Sequence, residues 1–398
     1  MTPTATSPHV DDRAAVQLVL QMLAIPGKSG MESKIAEFIV GQLRAAGVPQ
    51  SAIAYDQAHK KSHVGGEIGN LIVKLPGTTR APRRLLMGHM DTVPLCVGAQ
   101  PVRQGRRIVS RDKTTALGGD NRAGAGVVLN AALTILKHKL PHPPLTLFWP
   151  VQEEIGLVGA RHVAAAKLGG PKLCFNWDGG SPSAVVIGAT GGDSLDIRIH
   201  GLASHAGAHP EDGISAVAIA GKAVADLTDN GWHGLVRKGK HAGTSNIGFV
   251  AGGEATNVVT DLVTLRAEAR SHDPQFRAKI VAAYAEAFRR AAKSVTSNSG
   301  AAGSVDIDVH HKYESFRLSL DEPSVRSAMS ALRACGLEPE PRIINGGLDA
   351  NWLTAHGLPT VTLGCGQAGI HTVKETLDVD QYLQACRIGL LLATGGEP

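Results

Sequence analysis

The chain has 398 residues, of which 43% are hydrophobic and 19% charged, and its formal net charge is +5. This length exceeds the size at which one hydrophobic core usually stops growing, so we expect two domains. Basic residues are scattered and aromatic residues make up only 4% of the chain, which argues against nucleic-acid binding, because such surfaces interleave basic and stacking side chains. No window reaches the roughly eighteen uninterrupted apolar residues of a membrane span. Residues 1–15 lack the apolar core of a signal peptide, so we expect a cytoplasmic protein with neither a nucleic-acid nor a membrane partner.

The first half of the chain alternates between helical and strand patterns. Apolar residues recur at helical spacing over residues 14–23 and 33–47. Runs that are apolar almost throughout, typical of strands buried on both faces, lie at 70–75, 85–93, 145–151 and 173–178. Such strands favour a largely parallel sheet between helices. A helix is predicted to begin near Asp120, and the glycines that follow would let it pack close to the sheet.

The pattern changes near residue 190. Alternating strand patterns and two helical patterns then follow in the order β-α-β-β-α-β, which is the ferredoxin-like unit of four strands and two helices. After residue 315 the earlier style returns. We therefore predict an α/β fold with a mixed, mostly parallel sheet sandwiched by helices, formed by residues 1–189 and 316–398. A ferredoxin-like α+β domain, residues 190–315, is inserted into it.

Titratable residues gather where the apolar runs end. They are His89, Asp91, Asp120, Glu153, Glu154, Asp178 and His371. In an open α/β sheet the carboxyl ends of the strands form the ligand crevice, so these side chains are expected to converge there. Two imidazoles and several carboxylates suit zinc, with cobalt or manganese as possible substitutes. The most economical arrangement is two ions about 3.5–4 Å apart that share one bridging carboxylate.

Taken singly, each of these residues has a simpler explanation. The apolar strand before Glu153 and Glu154 could end in water, and a lone histidine is more often a core or surface residue. Asp120 could be only a helix cap, and Asp178 before Gly-Gly only a turn residue. Together these explanations fail, because they must account separately for polar residues at the same end of every central strand.

Five motifs also carry a family resemblance. In order and at compatible spacing, GHMDTVP, LGGDNRAG, PVQEEIGLVGA, NWDGG and GIHTVKE resemble the metal-site motifs of the di-zinc exopeptidases and amidohydrolases that include peptidase T, glutamate carboxypeptidase and aminoacylase. The stretch GGLDANWLTAHGLPTVTLGCGQAGIHTVKE is similar to the peptidase-T-like branch. The resemblance covers most of the chain and implies a zinc-exopeptidase-like catalytic domain. The inserted domain would act as a lid and pair the chain into a homodimer.

The resemblance also assigns roles at the metal site. It implies that His89 and Asp178 hold one zinc ion, that Glu154 and His371 hold the other, and that Asp120 bridges the two.

Two neighbours of these ligands receive roles as well. Asp91 would accept the second ring N–H of His89 and fix that ligand's orientation, and Glu153 would be the general base that takes a proton from the attacking water. Members of the family carry a cis peptide after the bridging aspartate, so one is expected between Asp120 and Asn121.

Three residues of the inserted domain match substrate-binding positions of the family. His205 would help to polarise the substrate carbonyl, often in the neighbouring subunit's site, and Asn257 would contact the substrate. Arg270 would hold a substrate carboxylate, a task that suits a guanidinium fork. The alternative for Arg270 is an ordinary ion pair with a nearby acid.

The sequence departs from the family pattern at Asn121 and Arg122, where many relatives have an acid and a lysine. The function implied is a tripeptide aminopeptidase that hydrolyses short peptides. An N-acyl-amino-acid amidohydrolase or a carboxypeptidase is the alternative, because fold alone does not fix the substrate. A more remote alternative, an inactive binding protein, predicts loss of the base or of a ligand, and the sequence keeps all of them.

Overall fold

The structure is a computed structural model, and it describes residues 9–395. Part of the N-terminal segment assessed above for a signal peptide, residues 1–8, lies outside the described residues. The chain divides into two compact units. The second unit comprises Ala189–Phe316 and Asn345–Gly347, and the other described residues form the first. Within residues 9–395, no helix combines the length and apolar character needed to cross a bilayer.

The α-helices of the described residues are α1 (Asp12–Leu23), α2 (Ser33–Ala45), α3 (Gly119–His138), α4 (Val158–His162), α5 (Ala216–Asp229), α6 (Pro274–Ser294), α7 (Pro323–Ala334), α8 (Asp349–Ala355) and α9 (Val379–Thr394). The strands are β1 (Ile53–Tyr55), β2 (Leu71–Leu75), β3 (Arg84–Met87), β4 (Pro101–Gln104), β5 (Arg107–Ser110), β6 (Leu145–Trp149), β7 (Leu173–Trp177), β8 (Ala184–Ala189), β9 (Gly191–His200), β10 (Gly234–Lys238), β11 (His241–Gly252), β12 (Leu262–Ser271), β13 (Ser304–Tyr313), β14 (Phe316–Arg317), β15 (Glu340–Ile344), β16 (Thr360–Leu363), β17 (Gln367–Ala368) and β18 (Thr376–Asp378).

The main sheet of the first unit has the strand order β1-β2-β6-β3-β7-β16-β8-β14, and β15 pairs with β8. Its four central strands, β6, β3, β7 and β16, are parallel to their neighbours within this group. Antiparallel pairing begins on either side, at β2 and at β8. The predicted fold class is confirmed, and the carboxyl ends of the central strands lie along one edge of the sheet.

A second, smaller sheet of the first unit was missed at the sequence level. Its strand order is β17-β18-β5-β4, and the basic stretch VRQGRR forms part of the β4–β5 hairpin. Arg103, Gln104, Arg106 and Arg107 are exposed, because this hairpin turns its polar side chains to solvent. Short strands without an apolar run give little signal in a sequence.

The second unit is a five-stranded antiparallel sheet, β10-β11-β12-β9-β13, packed against α5 and α6. Four of these strands and the two helices match the predicted ferredoxin-like order. The prediction of four strands was too low, because β10 adds a fifth at the edge. Only Val236 of β10 is buried, so the strand has no alternating apolar pattern that would reveal it.

The helices begin where short polar side chains cap them. Asp11 accepts a hydrogen bond from Ala14 N at 3.0 Å at the start of α1. Asp273 accepts from Gln275 N and Phe276 N at the start of α6. Each cap satisfies backbone N–H groups that the first helical turn leaves without partners.

Candidate functional site

The predicted cluster is built on the ends of three parallel strands. β3 ends at Met87, and His89 follows two residues later. β6 ends at Trp149, ahead of the Glu153–Glu154 pair. β7 ends at Trp177, directly before Asp178. The glutamate pair therefore lies beyond its strand, in a turn closed by a hydrogen bond from Gly156 N to Glu153 O at 2.9 Å.

Asp120 lies between the two imidazoles. Its Oδ1 is 3.3 Å from Nε2 of His89, and its Oδ2 is 3.3 Å from Nε2 of His371. On the far side, Nε2 of His371 is 2.9 Å from Oε2 of Glu154. One aspartate thus faces both histidines with separate oxygens, as a bridging carboxylate would.

His89 has two further carboxylates as neighbours. Its Nε2 is 3.7 Å from Oδ1 of Asp178 and 4.0 Å from Oε2 of Glu153. Two sets of side chains bring potential ligand atoms within 4.8 Å of one another: His89, Asp120 and Glu154, and His89, Glu153 and Asp178. The site opens to solvent at His371, which is exposed, whereas His89, Asp91 and Asp120 are buried.

Asp91 contacts the backbone of the glutamate pair. It accepts hydrogen bonds from Glu153 N at 3.0 Å and from Glu154 N at 3.2 Å. Ser29 Oγ donates to the same carboxylate at 2.6 Å, and Nδ1 of His89 lies 3.4 Å away. Asp91 therefore fixes the turn that carries Glu153 and Glu154, and it also lies beside the ring of His89.

Glu375 plays a matching part on the other side of the site. It accepts hydrogen bonds from Gly118 N at 2.7 Å and from Asp120 N at 2.9 Å. These bonds hold the backbone at the start of α3. The peptide bond between Asp120 and Asn121 is cis, as the resemblance implies.

The start of α3 differs from the sequence-based expectation. Asp120 does not cap the helix, because its carboxylate faces the two imidazoles and not the N–H groups of the first helical turn. Asn121 provides the cap instead, because its Oδ1 accepts from Gly124 N at 3.0 Å. Its Nδ2 donates to Trp177 O at 2.6 Å. The carboxylate of Asp120 therefore remains free to face the histidines.

Backbone strain is concentrated around the site. Among the described non-glycine residues, those with positive φ include Gln152 (55°), Leu157 (58°) and His371 (60°). The first two flank the glutamate pair, and the third carries an imidazole of the cluster. Strained conformations of this kind persist where the surrounding structure over-determines them, which is common at functional sites.

The histidines and Asp120 stabilise one another's charged forms. A hydrogen bond with Asp120 raises the pKa of His371 to about 9, and the charge of Glu154 adds to this effect. Burial would lower the pKa of His89, but Glu153, Asp120, Asp178 and Asp91 outweigh it and raise that pKa. Burial would raise the pKa of Asp120, but the two imidazoles hold it below its ordinary value.

The other carboxylates of the cluster are buried in surroundings that disfavour their charged forms. Burial, followed by the charge of Asp120, raises the pKa of Glu154 to about 8. Burial also raises the pKa of Glu153, with Asp178 and Asp349 adding to the shift, and it raises the pKa of Asp178. Perturbed acids of this kind, gathered at one place, are typical of a functional site.

The chemistry of the donor set fits divalent cations. Five carboxylates face only two imidazoles in the cluster, so negative charge is in excess. Oδ1 of Asp120 is buried and makes no hydrogen bond within the described part of the chain. Oxygen and imidazole nitrogen atoms are the ligands that zinc, cobalt and manganese accept.

The three substrate-binding candidates belong to the second unit. His205 is exposed, and its Nδ1 accepts hydrogen bonds from Gly207 N at 3.2 Å and Ala208 N at 3.1 Å. This leaves Nε2 as the donor. Asn257 is exposed on the adjacent segment, and its backbone carbonyl accepts a hydrogen bond from Ala206 N at 2.9 Å.

Arg270 makes the ion pair that the sequence left open as its alternative role. Its Nη2 donates to Oε2 of Glu268 at 2.9 Å, and its Nη1 donates to Asn345 O at 3.3 Å.

Sequence reasoning missed several polar residues near the cluster. Glu32 is buried, and its Oε1 accepts from Gly30 N at 2.9 Å and Gln152 N at 3.1 Å. Asp349 is buried at the start of α8, and neither of its oxygens has a hydrogen-bond partner among residues 9–395. Burial raises the pKa of Asp349, with Asp178 adding to the shift. The signal available was the stretch GGLDANW, in which an acid follows two glycines.

The fold and site define a metallo-hydrolase, and the comparisons name its family. The model of the peptidase family M20/M25/M40 matches residues 85–394. The chain therefore belongs to this family, and the recognition made from the five motifs is confirmed.

Solved structures and curated relatives agree with this placement. The aminopeptidase PepT of Bacillus cereus is 30% identical with a TM-score of 0.83, over 97% of this chain and 98% of that one. A tripeptidase of Staphylococcus aureus is 29% identical with a TM-score of 0.85, over 96% and 99% of the two chains. An uncharacterized Bacillus subtilis protein, YqjE, is 28% identical over 95% of this chain and 97% of its own length. Peptidase T of Vibrio parahaemolyticus is 27% identical over 79% and 82%.

Proposed function

We propose that this protein is a dinuclear metallo-aminopeptidase that removes the N-terminal residue from tripeptides. The observation that carries the proposal is the position of Asp120, whose two oxygens face His89 and His371 at 3.3 Å each. His89 and Asp178 would hold one zinc ion, Glu154 and His371 the other, and Asp120 would bridge them. The similarity to the PepT aminopeptidase and the tripeptidase supports the choice of substrate.

The reaction is hydrolysis of a peptide bond. A pair of bound divalent cations would polarise the scissile carbonyl and lower the pKa of the attacking water. Glu153 takes one proton from that water as the new C–O bond forms. It then delivers the proton to the amine nitrogen as the C–N bond breaks. The buried surroundings that raise the pKa of Glu153 suit this exchange, because they make its carboxylate a stronger base.

The backbone contacts keep the base and the ligands in place. Asp91 holds the N–H groups of Glu153 and Glu154, so the two side chains leave the turn from a fixed backbone. Asp91 would also orient the ring of His89, as a carboxylate beside a zinc-bound histidine does.

Three residues of the second unit would contact the substrate. In this proposal the free Nε2–H of His205 polarises the substrate carbonyl, Asn257 contacts the peptide, and Arg270 holds a substrate carboxylate. Arg270 already donates hydrogen bonds to Glu268 and Asn345, so only its remaining N–H groups could bind a substrate carboxylate. The unit would also pair two copies into a homodimer, and a cytoplasmic location remains a prediction from the sequence.

A substrate comparison tests the function. The zinc-loaded protein is incubated with a panel of tripeptides, with the same tripeptides acetylated at the N-terminus, and with N-acyl amino acids. We expect release of the N-terminal amino acid from the free tripeptides and little reaction with the acylated ones. Faster cleavage of the N-acyl amino acids would favour the amidohydrolase alternative, and no cleavage of any compound would contradict the proposal.

A further inference from the structure

Arg122 is a buried cation next to the candidate metal site that plays no direct part in the proposed reaction. Its side chain is 1% exposed. Its Nη2 donates to Ile25 O at 3.2 Å and to Gly27 O at 3.3 Å, whereas Nε and Nη1 have no hydrogen-bond partner in the described part of the chain. Burying a charged group is expensive, so this arginine needs a reason to be there.

The segment from Ile25 to Gly27 packs tightly against the guanidinium group of Arg122. A Cβ atom at Gly27 would lie 2.5 Å from Nη2 of Arg122, a separation that Cβ atoms essentially never show. Its other neighbours, Met31 O at 3.4 Å and Ile35 Cγ2 at 3.5 Å, would be at tolerable distances. A side chain at Gly27 would therefore displace the guanidinium group of Arg122 before it disturbed the other two neighbours.

Hydrogen bonds lead from this segment to the glutamate pair. Thr92 N donates to Gly27 O at 3.1 Å, and Ser29 N donates to Thr92 O at 3.2 Å. Ser29 Oγ then donates to Asp91 at 2.6 Å. Asp91 in turn accepts the N–H groups of Glu153 and Glu154.

The charges around Arg122 favour the same arrangement. The negative charge of Asp91 favours the cationic form of Arg122. The bond from Gln152 N to Glu32 ties the residue before the glutamate pair to the same segment at 3.1 Å.

We propose that Arg122 is a positioning residue for the proposed peptidase reaction. By holding the segment from Ile25 to Ser29 against Asp91, it sets the backbone from which Glu153 and Glu154 reach the site. This inference rests on the proposed function for its kinetic test. It does not depend on that function for its metal-binding test.

The first test compares Arg122→Met and Arg122→Lys with the wild-type protein. For Arg122→Met we expect kcat on the best tripeptide to fall by about 10–100-fold with KM within about twofold, the size typical of losing a residue that orients metal ligands. Zinc affinity, measured by competition with a chromogenic chelator, is expected to fall over the same range. Arg122→Lys should recover most of both losses, because it keeps the cation. Unchanged kcat and zinc affinity in Arg122→Met would overturn the proposal.

The second test uses the space at Gly27. Gly27→Ala should lower kcat by about 10-fold in the wild-type background, because the new methyl group displaces the guanidinium. The same change in the Arg122→Lys background should cost much less, since Nη2 is absent there. An equal loss in both backgrounds would refute the contact.

Ser29→Ala keeps the proposal falsifiable if Arg122→Met does not fold. It removes only one hydroxyl group from a half-buried residue, and it must lower kcat or zinc affinity if the path runs through Asp91. Wild-type values for both would overturn the proposed route. If the wild-type protein cleaves no peptide, the proposed function fails, and the zinc affinities of these variants still decide the role of Arg122.

Discussion

Asp91 and Glu375 each accept hydrogen bonds from two backbone N–H groups of the candidate site. Between them they hold the backbone of Asp120, Glu153 and Glu154. The side chains that would meet the cations and the water are thus carried by backbone that other buried carboxylates fix. A carboxylate accepting two N–H groups is well satisfied even when it is buried.

The proposed base can be removed with little change in shape. For Glu153→Gln we expect kcat to fall by at least about 100-fold, because general base catalysis contributes about 10²–10⁴-fold. The zinc content, measured by mass spectrometry, should equal that of the wild-type protein. Glu37→Gln, which changes an exposed glutamate of the same unit, is the control and should leave kcat unaltered. Activity of Glu153→Gln within a few-fold of wild type would exclude it as the base.

Glu32 predicts a pH dependence of stability. Burial, together with the charge of Asp91, raises its pKa to about 8, against an ordinary value of 4.5. Between these pH values the folded protein keeps a proton that the unfolded chain releases. The contribution of Glu32 to the free energy of unfolding is therefore present at pH 4.5 and is lost as the pH rises towards 8, by at most about 1.4 kcal/mol per pH unit.

Glu32→Gln mimics the protonated acid and should remove this dependence. Urea unfolding at pH 5.5 and pH 8 should show that the free energy of unfolding of the variant increases relative to that of the wild-type protein as the pH rises. Glu37→Gln, which changes an exposed glutamate of α2, serves as the control and should keep the pH dependence of the wild-type protein. A difference between Glu32→Gln and wild type that does not change with pH would contradict the expected titration.

At the scale of residues, the position of a side chain in the cluster was predictable where that side chain follows an apolar run. His89, Asp178 and the glutamate pair were found in this way, because a polar residue at the end of a buried strand is conspicuous. Glu32 and Ser29 were missed because they follow α1 rather than a strand. Their partners, Gln152 and Asp91, are 120 and 62 residues away along the chain. Contacts over such distances leave no local pattern.

At the scale of elements, glycines let α3 approach the sheet. A Cβ atom at Gly124 would overlap the carbonyl oxygen of Trp177 and Oδ1 of Asn121. A Cβ atom at Gly88, just after β3, would lie 2.7 Å from the carbonyl carbon of Gly124. The close packing expected from the glycines near Asp120 is therefore confirmed, and it brings α3 against the strands that carry His89 and Asp178.

Gly124→Ala should break this packing. The added methyl group has to push apart Asn121 and Trp177, whose hydrogen bond is 2.6 Å long. We expect a loss of about 1–3 kcal/mol in the free energy of unfolding and weaker zinc binding. Gly41→Ala in α2 is the matched control: nothing lies within 4 Å of its Cβ position, so it should gain about 0.5–1 kcal/mol from helix propensity. Equal stabilities of the two variants would disprove the close approach.

Elements were predictable where they bury a continuous or periodic apolar face. α1, α2, α6 and β6 follow that rule. Exposed or very short elements gave no such pattern. The β4–β5 hairpin and β10 are examples, because most of their side chains face water.

At the scale of the whole molecule, the sequence predicted a two-part chain with an inserted unit. The change from buried apolar runs to alternating strands carried that prediction. The sequence did not indicate that Asn345–Gly347 belongs to the second unit, because three residues are too few to show a periodic pattern. Membership of the peptidase family M20/M25/M40 is shown by the family model, which matches residues 85–394 and so spans parts of both units.

The most direct test of the account is anomalous diffraction at the zinc edge from crystals of the zinc-loaded protein. We expect two peaks, one on each side of the Asp120 carboxylate, the first beside His89 and Asp178 and the second beside Glu154 and His371. A single peak, or peaks away from both histidines, would contradict the claim that Asp120 joins a pair of metal ions.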